Sequence, residues 1–339
     1  MTQPNTIDMT FDTSLVDLKP NTSFSTTESD PSDFDPSVST AKTPAMQPQI
    51  LFEQQSQETP KRSKPPAGVP SSQPRTTSTP IQHIGTQDAY DQWATVYDTD
   101  GNMLQAIDDI ELATSLPHFL QQVFDSTSTP TISLLDLGCG TGRNTVKLPD
   151  FALPPGRHST VTGLDFSKGM LDIAAEKVRP FNAGSDSSRV ALAQCDCFPT
   201  VNNPSASPIP AVADLTPVNG IISTLVLEHI PLQDYFATLS ALLLPDALAL
   251  VTNMHADMGA KSQAGFVNAQ GVKVRGSSFA HTVQDTIDAA KRVGLEVVSV
   301  KEREVRTEDV ENGMVGSRGW KWVGVKVWYG VVVRRGAVV

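Results

Sequence analysis

The chain has little of what would mark it as secreted, membrane-embedded or nucleic-acid-binding. It carries only 3 cysteines, Cys139, Cys195 and Cys197. An odd number with two members one residue apart is a poor disulfide framework and points to a reducing compartment. No apolar run reaches the roughly 18 residues that a membrane-spanning helix needs. The chain opens on polar residues rather than an apolar signal core or an Arg-rich amphipathic stretch. The cytoplasm, or the nucleus, is the expected location. Positive charge is also scarce: 26 Lys and Arg stand against 37 Asp and Glu, for a formal net charge of -11. That balance argues against a nucleic acid held along its phosphates. Basic residues do gather near the end, at Lys301, Arg303, Arg306, Lys321, Lys326, Arg334 and Arg335. They alternate with apolar residues and read as solvated strand edges.

Proline is unevenly spent. Residues 1–85 hold 12 of the 25 prolines, together with many Ser, Thr and Gln. Such a stretch cannot bury enough apolar surface to offset its ordering entropy, and it reads as a disordered tail. Lys61-Arg62-Ser63-Lys64 within it reads as solvated linker. Residues 86–339 form the expected folded domain.

Order is expected from near Asp88. Tyr90 to Tyr97 reads as a short helix. Leu104 to Phe124 reads as an amphipathic helix with Ile107, Ile110, Leu112, Phe119 and Val123 inward, kinked or divided at Pro117. Strands and helices then alternate. Strands are predicted at 132–137, 161–164, 190–194, 220–225 and 247–252. Helices are predicted at 142–148, after a Ser167 cap with Met170, Ala174 and Val178 on one face, at 235–244, and at 282–293 ahead of Gly294. This order predicts an α/β fold, a doubly wound and mainly parallel sheet with helices on both faces. Two long β-branched stretches, 295–305 and 320–333, follow with no helix between them. They predict an antiparallel strand pair closing the sheet edge, joined by a flexible loop over 307–319.

The chemistry concentrates at strand ends. Leu135-Asp136-Leu137-Gly138-Cys139-Gly140-Thr141-Gly142 follows a strand and leads into a predicted helix, and its glycines let backbone approach a ligand where a Cβ would collide. Asp165 ends the second strand, where a carboxylate can accept two ribose hydroxyls. Asp196 ends the third, within Gln194-Cys195-Asp196-Cys197-Phe198. Ser223-Thr224-Leu225-Val226-Leu227-Glu228-His229-Ile230 follows the fourth. Any one of these acids could be a helix cap, but three at successive strand ends point to a ligand. Cys195 and Cys197 with no nearby His fall short of a zinc site, so no metal is expected.

In order and spacing these four segments resemble the class I S-adenosylmethionine-dependent methyltransferases, most of all the small-molecule group that shares a Leu-Asp-Leu-Gly-Cys-Gly-Thr-Gly loop. The likeness spans about residues 88–335. It implies the seven-stranded Rossmann-like methyltransferase fold and S-adenosyl-L-methionine as cofactor. It implies that Asp136 and the loop Gly138, Cys139, Gly140, Thr141 and Gly142 hold the methionine part. Asp165 would take the ribose, with Phe166 and Met170 beside the adenosine. Asp196 would accept from the adenine amino group, with Cys197 flanking the ring, and Leu225 would line the other side. Tyr90 and Tyr97, in Tyr-Asp-x-x-Ala-x-x-Tyr-Asp, match a helix that covers the cofactor in this family.

Methyl transfer needs the acceptor, methyl and sulfur in line and water excluded. A high-pKa acceptor also needs a base. His229, His255 and His281 are the candidates, His229 first, with Glu228 as alternative base or as its orienter. Ala256 to Phe279 is rich in Gly, Ala, Ser and Gln; long connections of this kind are usually lids, and with Trp93 and Tyr97 it would form the acceptor pocket. The expected partner is a small-molecule acceptor. The methylated atom (N, O, C or S) stays open, and a protein acceptor or a catalytically silent regulatory relative stand as alternatives. A nicotinamide dehydrogenase shares the glycine loop and ribose acid but would not predict Asp196, the Leu-Glu-His segment or the antiparallel ending.

Overall fold

The computed structural model describes residues 10–11, 81–183, 188–262, 265–267, 273–275 and 278–336. Seven strands make the main sheet: β1 Thr131–Leu137, β2 His158–Asp165, β3 Ser188–Gln194, β4 Val218–Thr224, β5 Leu243–Met254, β6 Leu295–Glu304 and β7 Lys326–Arg335. Their spatial order is β6-β7-β5-β4-β1-β2-β3. Strands β1 to β5 pair in parallel, and β7 runs antiparallel between β5 and β6. This is the doubly wound, mainly parallel sheet with an antiparallel closing pair that the alternating pattern predicts.

The helices cover both faces: α1 Thr86–Trp93, α2 Met103–Ser126, α3 Lys168–Asn182, α4 Leu232–Leu242 and α5 Val283–Arg292. Side chains alternate across each strand, so neighbours in sequence serve opposite cores. Leu135, Ile221 and Ala249 pack with Phe236, Leu239 and Ala290 of α4 and α5. Leu134, Ile222 and Leu250 pack with Leu116, Phe119, Val123 and Val178 of α2 and α3. Ser167 caps α3 by accepting from the Met170 amide.

Several local expectations are corrected. Helix α2 runs unbroken through Pro117, because Leu112, Leu116, Phe119 and Leu120 around it are all buried and hold the turn in place. The predicted helix at 142–148 is a single 3-10 turn, Thr145–Lys147; Gly142 at its expected start takes φ +77°, outside the right-handed helical region. Helix α1 starts earlier than expected and ends at Trp93, with only turns continuing to Tyr97. The stretch 307–319 is not a free loop: Thr307–Glu311 is helical, and Val310 and Val315 are buried. Trp320 to Trp322 belongs to a 3-10 turn, Ser317–Trp322, and the strand begins only at Lys326. Trp322 is wedged into a cluster with Met103, Ile107, Val310 and Trp328. Arg303 is no solvated edge residue. It is buried, with Nε on Glu111 at 2.8 Å and a terminal nitrogen on Asp309 at 2.6 Å.

Within the stretch expected to be disordered, Thr10–Phe11 and Ile81–His83 are strands of a second small sheet, paired with Gly265–Val267 and Lys273–Arg275. The rest of residues 1–80 lies outside the described residues. So does part of the expected lid, at 263–264, 268–272 and 276–277; its start forms a short helix, Ala256–Gly259. Among the described residues no helix is long and apolar enough to cross a membrane.

Candidate functional site

The strand order reverses between β1 and β4, and the crevice outside the carboxyl ends at such a point is where sheets of this kind bind ligands. A cavity of about 440 Å³ lies there. Gly138 and Gly140 line it after β1, Asp165 and Phe166 after β2, Asp196, Cys197 and Phe198 after β3, and Thr224, Leu225, Val226 and His229 after β4. The roof comes from Gly85 to Asp88, Tyr90 and Tyr97.

The glycine loop is shaped by contacts that only glycine allows. Gly138 has φ +78°, and a Cβ on it would stand 2.5 Å from Val226 Cγ2. Gly140 has φ +52° and nothing within 4 Å of where its Cβ would be, so its backbone faces open space. The Gly140 amide donates to Asp165 Oδ2 at 2.8 Å, and the Ser167 amide donates to Asp165 Oδ1 at 2.8 Å. The β2 carboxylate and the loop after β1 are thereby locked together. Leu225 takes φ +57°, a left-handed conformation that costs a non-glycine residue roughly 1–2 kcal/mol. It is held by a 2.9 Å bond from its amide to the Thr252 carbonyl. Strain of this sort persists at positions a binding site over-determines.

Asp196 is held by the Phe198 amide at 3.0 Å and by Asn202 Nδ2 at 3.1 Å. Phe198 in turn stacks on Tyr235, with ring centroids 5.2 Å apart. The Tyr90 hydroxyl lies 2.8 Å from His229 Nε2, and Glu228 Oε1 lies 3.4 Å from the same nitrogen. Glu228 is buried, and its second oxygen has no hydrogen-bond partner. Burial raises the Tyr90 phenol well above its ordinary value, so it stays neutral.

Asp136, Cys139, Thr141, Gly142 and Met170 sit behind this wall rather than on it. Asp136 is fully buried and accepts from the Thr145 hydroxyl at 2.6 Å, while its other oxygen has no partner. Thr141 donates to Asp98 at 2.6 Å, Gly142 packs on Ala174 of α3, and Met170 is fully buried. His255 and His281 are not on the described lining. His255 spends one ring nitrogen on the Asp257 amide, capping the short helix, and the other on Glu302 at 2.9 Å. His281 is bonded to the Ile230 carbonyl at 2.9 Å, and desolvation holds its imidazole below the ordinary value. Trp93, expected at the acceptor pocket, is a core residue at 2 % exposure.

The roof residues Thr86, Gln87 and Asp88 carry no motif and were not legible as lining. Their placement depends on three latches to α3 and the strand ends. Gln87 Nε2 donates to the Phe166 carbonyl at 2.9 Å, and Asp91 accepts from the Ser167 hydroxyl at 2.6 Å and the Gly169 amide at 2.9 Å. Among the described lining residues stand three carboxylates, Asp88, Asp165 and Asp196, and no Lys or Arg. Burial raises Asp165 to about 6 and Asp136 behind it to about 7.

Residues 134–246 match the family described as a methyltransferase domain. An uncharacterized methyltransferase of Emericella nidulans is 43 % identical over 268 residues, covering 74 % of this chain and 91 % of that protein. Among solved structures, a complex of DhpI with SAH has a TM-score of 0.44 at 16 % identity, covering 74 % of this chain and 95 % of that one. A magnesium protoporphyrin IX methyltransferase from Synechocystis with bound SAH has a TM-score of 0.43 at 14 % identity, covering 74 % and 94 %.

Proposed function

Since the chain belongs to the class I S-adenosylmethionine-dependent methyltransferases, we propose that its cavity holds S-adenosylmethionine and that the acceptor is a small molecule methylated beside His229. The observation that carries this reading is the convergence of four strand ends on one cavity lined by carboxylates without a lysine or arginine. That donor set fits a ligand bearing a sulfonium, an ammonium and ribose hydroxyls. Gly140, open on its Cβ side, fits the close approach of such a ligand to backbone. Asp165 would accept the ribose hydroxyls, Asp196 the adenine amino group, and Phe166, Cys197, Phe198 and Leu225 would pack on the adenosine. Asp136 would support the glycine loop from behind.

The bound cofactor supplies an electrophilic methyl on a leaving group that needs no protonation. The chain's own work is to orient, dehydrate and move one proton. The α1 roof with Tyr90 and Tyr97 closes the cavity to water and restricts the acceptor's approach, the source of the roughly 7–11 kcal/mol that orientation can contribute. His229 Nε2, beside Tyr90, accepts the acceptor's proton, and the Glu228 carboxylate stabilises the imidazolium that forms. A small-molecule acceptor is favoured by the concave, roofed site and by a net charge of -11 that repels polyanions.

Calorimetry of S-adenosylmethionine against the full chain tests the assignment. The protein is expected to give saturable heat, and Asp165→Ala to weaken association by about 100-fold, since hydrogen bonds to a charged group contribute roughly 1.5–3 kcal/mol each. Absence of heat with the unaltered protein would remove the reading.

Affinity should also depend on pH, with a sign set by Asp165 and Asp136. Both carboxyls are raised by burial, to about 6 and about 7. The folded protein therefore binds these protons more tightly than the unfolded chain, whose carboxyls titrate near ~3.9. Their contribution to stability is present below about pH 4 and is lost as pH rises through 6 to 7. A ligand whose hydroxyls donate to Asp165 works in the opposite sense, favouring the ionised carboxylate. Cofactor affinity is expected to rise about tenfold from about pH 5.5 to about pH 7.5, with net proton release that scales with buffer ionisation heat. A flat profile would count against an ionised Asp165 accepting from the bound ligand.

A further inference from the structure

Two free thiols that the methyl-transfer chemistry does not use stand at the cavity, one on its lining and one beside it. Cys195 and Cys197 flank Asp196 just past the end of β3, with their sulfurs 3.9 Å apart. Cys197 lines the cavity; Cys195 is half-buried. We propose that these two residues form an oxidisable dithiol, converted by hydroperoxides to a Cys195–Cys197 disulfide that reversibly shuts the cofactor out. The proposal rests on the reading that the adenosine lies against Cys197 and Asp196.

The geometry supports both halves of this idea. The sulfurs need to close from 3.9 Å to about 2.05 Å. Rotation of the two side chains and a bend after Cys195 supply that movement: the Cys195 amide is still held by the Asp165 carbonyl at 2.9 Å, while Asp196 and Cys197 lie past the last residue of β3. The residue caught inside the ring is Asp196. Its carboxylate is aimed by the Phe198 amide and Asn202, so a contraction between 195 and 197 redirects the group expected to meet the adenine. Cys195 is the group poised to react first. Its thiol is held below the ordinary value by the hydrogen bond from the Cys197 thiol, and burial adds to the cause that keeps Cys197 protonated. Thiolates, not thiols, attack peroxides.

The chemistry balances with a hydroperoxide as oxidant. The Cys195 thiolate attacks the distal peroxide oxygen, forming an S–O bond and breaking O–O. The leaving alkoxide or hydroxide takes a proton and departs as alcohol or water. Cys197 then loses its proton and attacks the Cys195 sulfur, forming S–S and expelling hydroxide as water. Two thiols lose two electrons in total and one peroxide gains them. Cys139 is an internal reference. It is buried, its sulfur packs against Gly163, and burial raises its thiol well above the ordinary value.

The test uses the full chain, treated with hydrogen peroxide or tert-butyl hydroperoxide. Alkylation under denaturing conditions and intact mass should find a loss of about 2 Da, the signature of one disulfide, with Cys139 still alkylated. S-adenosylhomocysteine present beforehand should slow the reaction by covering Cys197. The oxidised protein should bind S-adenosylmethionine about tenfold more weakly or worse, the scale of one lost hydrogen bond to a charged acceptor. Dithiothreitol should restore it. Cys195→Ser should bind like the reduced protein before and after peroxide. A disulfide that forms while affinity stays unchanged overturns the proposal, as does oxidation that yields only sulfinic acid. If the reduced protein itself gives no heat, the cofactor reading fails and takes the proposal with it. The mass result then still reports separately whether the thiols couple.

Discussion

Replacing His229 by glutamine is expected to lower turnover by about 100-fold or more, within the range of 10²–10⁴ that a positioned acid–base group contributes. Heat of cofactor association should persist. His229 is the one histidine on the described cavity lining, and its Nε2 sits 2.8 Å from Tyr90 and 3.4 Å from Glu228. Glutamine keeps a hydrogen-bonding end of similar reach but cannot take up a proton. Methyl-labelled S-adenosylmethionine and a small-molecule extract of the producing cells provide the assay. Glu228→Gln should give an intermediate loss, because it leaves the imidazolium without its buried counter-charge. Rates within about threefold of the parent for His229→Gln would assign the methyl acceptor's proton elsewhere, since even weak general-base assistance exceeds that margin.

The histidines show what a linear sequence can and cannot say about such a site. All three follow strands or precede a helix, and sequence position ranks His229 first without setting the other two aside. The structure separates them by what their ring nitrogens already do. His255 is occupied by a helix cap and Glu302, and His281 by the Ile230 carbonyl. Those bonds join residues as much as 51 positions apart, beyond any local spacing.

The acids and glycines were more legible because their positions repeat a rule. Ligands in a doubly wound sheet meet the carboxyl ends of the strands, so Gly138, Asp165 and Asp196 were marked by strand periodicity alone. Orientation was not marked. Asp136, Thr141 and Met170 belong to the same motifs but lie behind the wall: Asp136 is buried near the end of β1, Thr141 turns to Asp98, and Met170 is on the buried face of α3. The roof was invisible for another reason. Thr86, Gln87 and Asp88 are ordinary polar residues, and only the latches from Gln87 and Asp91 to the α3 end bring them over the cavity. Tertiary ion pairs were hidden in the same way. Arg303 alternates like its neighbours on β6, yet it meets Glu111, 192 positions away, because that face of the sheet edge is covered by α2.

The largest loss of stability should follow from Asp108→Leu. Asp108 lies in the second turn of α2 with no exposed surface. Its Oδ1 accepts from Trp328 Nε1 at 2.8 Å and from the Thr252 hydroxyl at 2.7 Å, and its Oδ2 accepts from Arg143 at 2.6 Å. One carboxylate thus ties α2 to β5, to β7 and to the residue that follows Gly142 of the glycine loop. Leucine fills similar volume but strands three donors, one of them charged. Breaking a buried pair by removing one partner costs about 3–5 kcal/mol. At about 2–4 °C per kcal/mol for a domain of this size, the melting temperature should fall by roughly 6–20 °C. The double variant Asp108→Leu with Arg143→Met separates charge from packing. With both ions gone, much of the loss should return, since replacing a whole buried pair by apolar groups is often close to neutral. The part that does not return measures the stranded Trp328 and Thr252 donors. Differential scanning calorimetry of the parent, both single variants and the double variant closes the cycle. Additive losses in the double variant would mean that Asp108 holds the fold through Trp328 and Thr252, with the Arg143 bond contributing little.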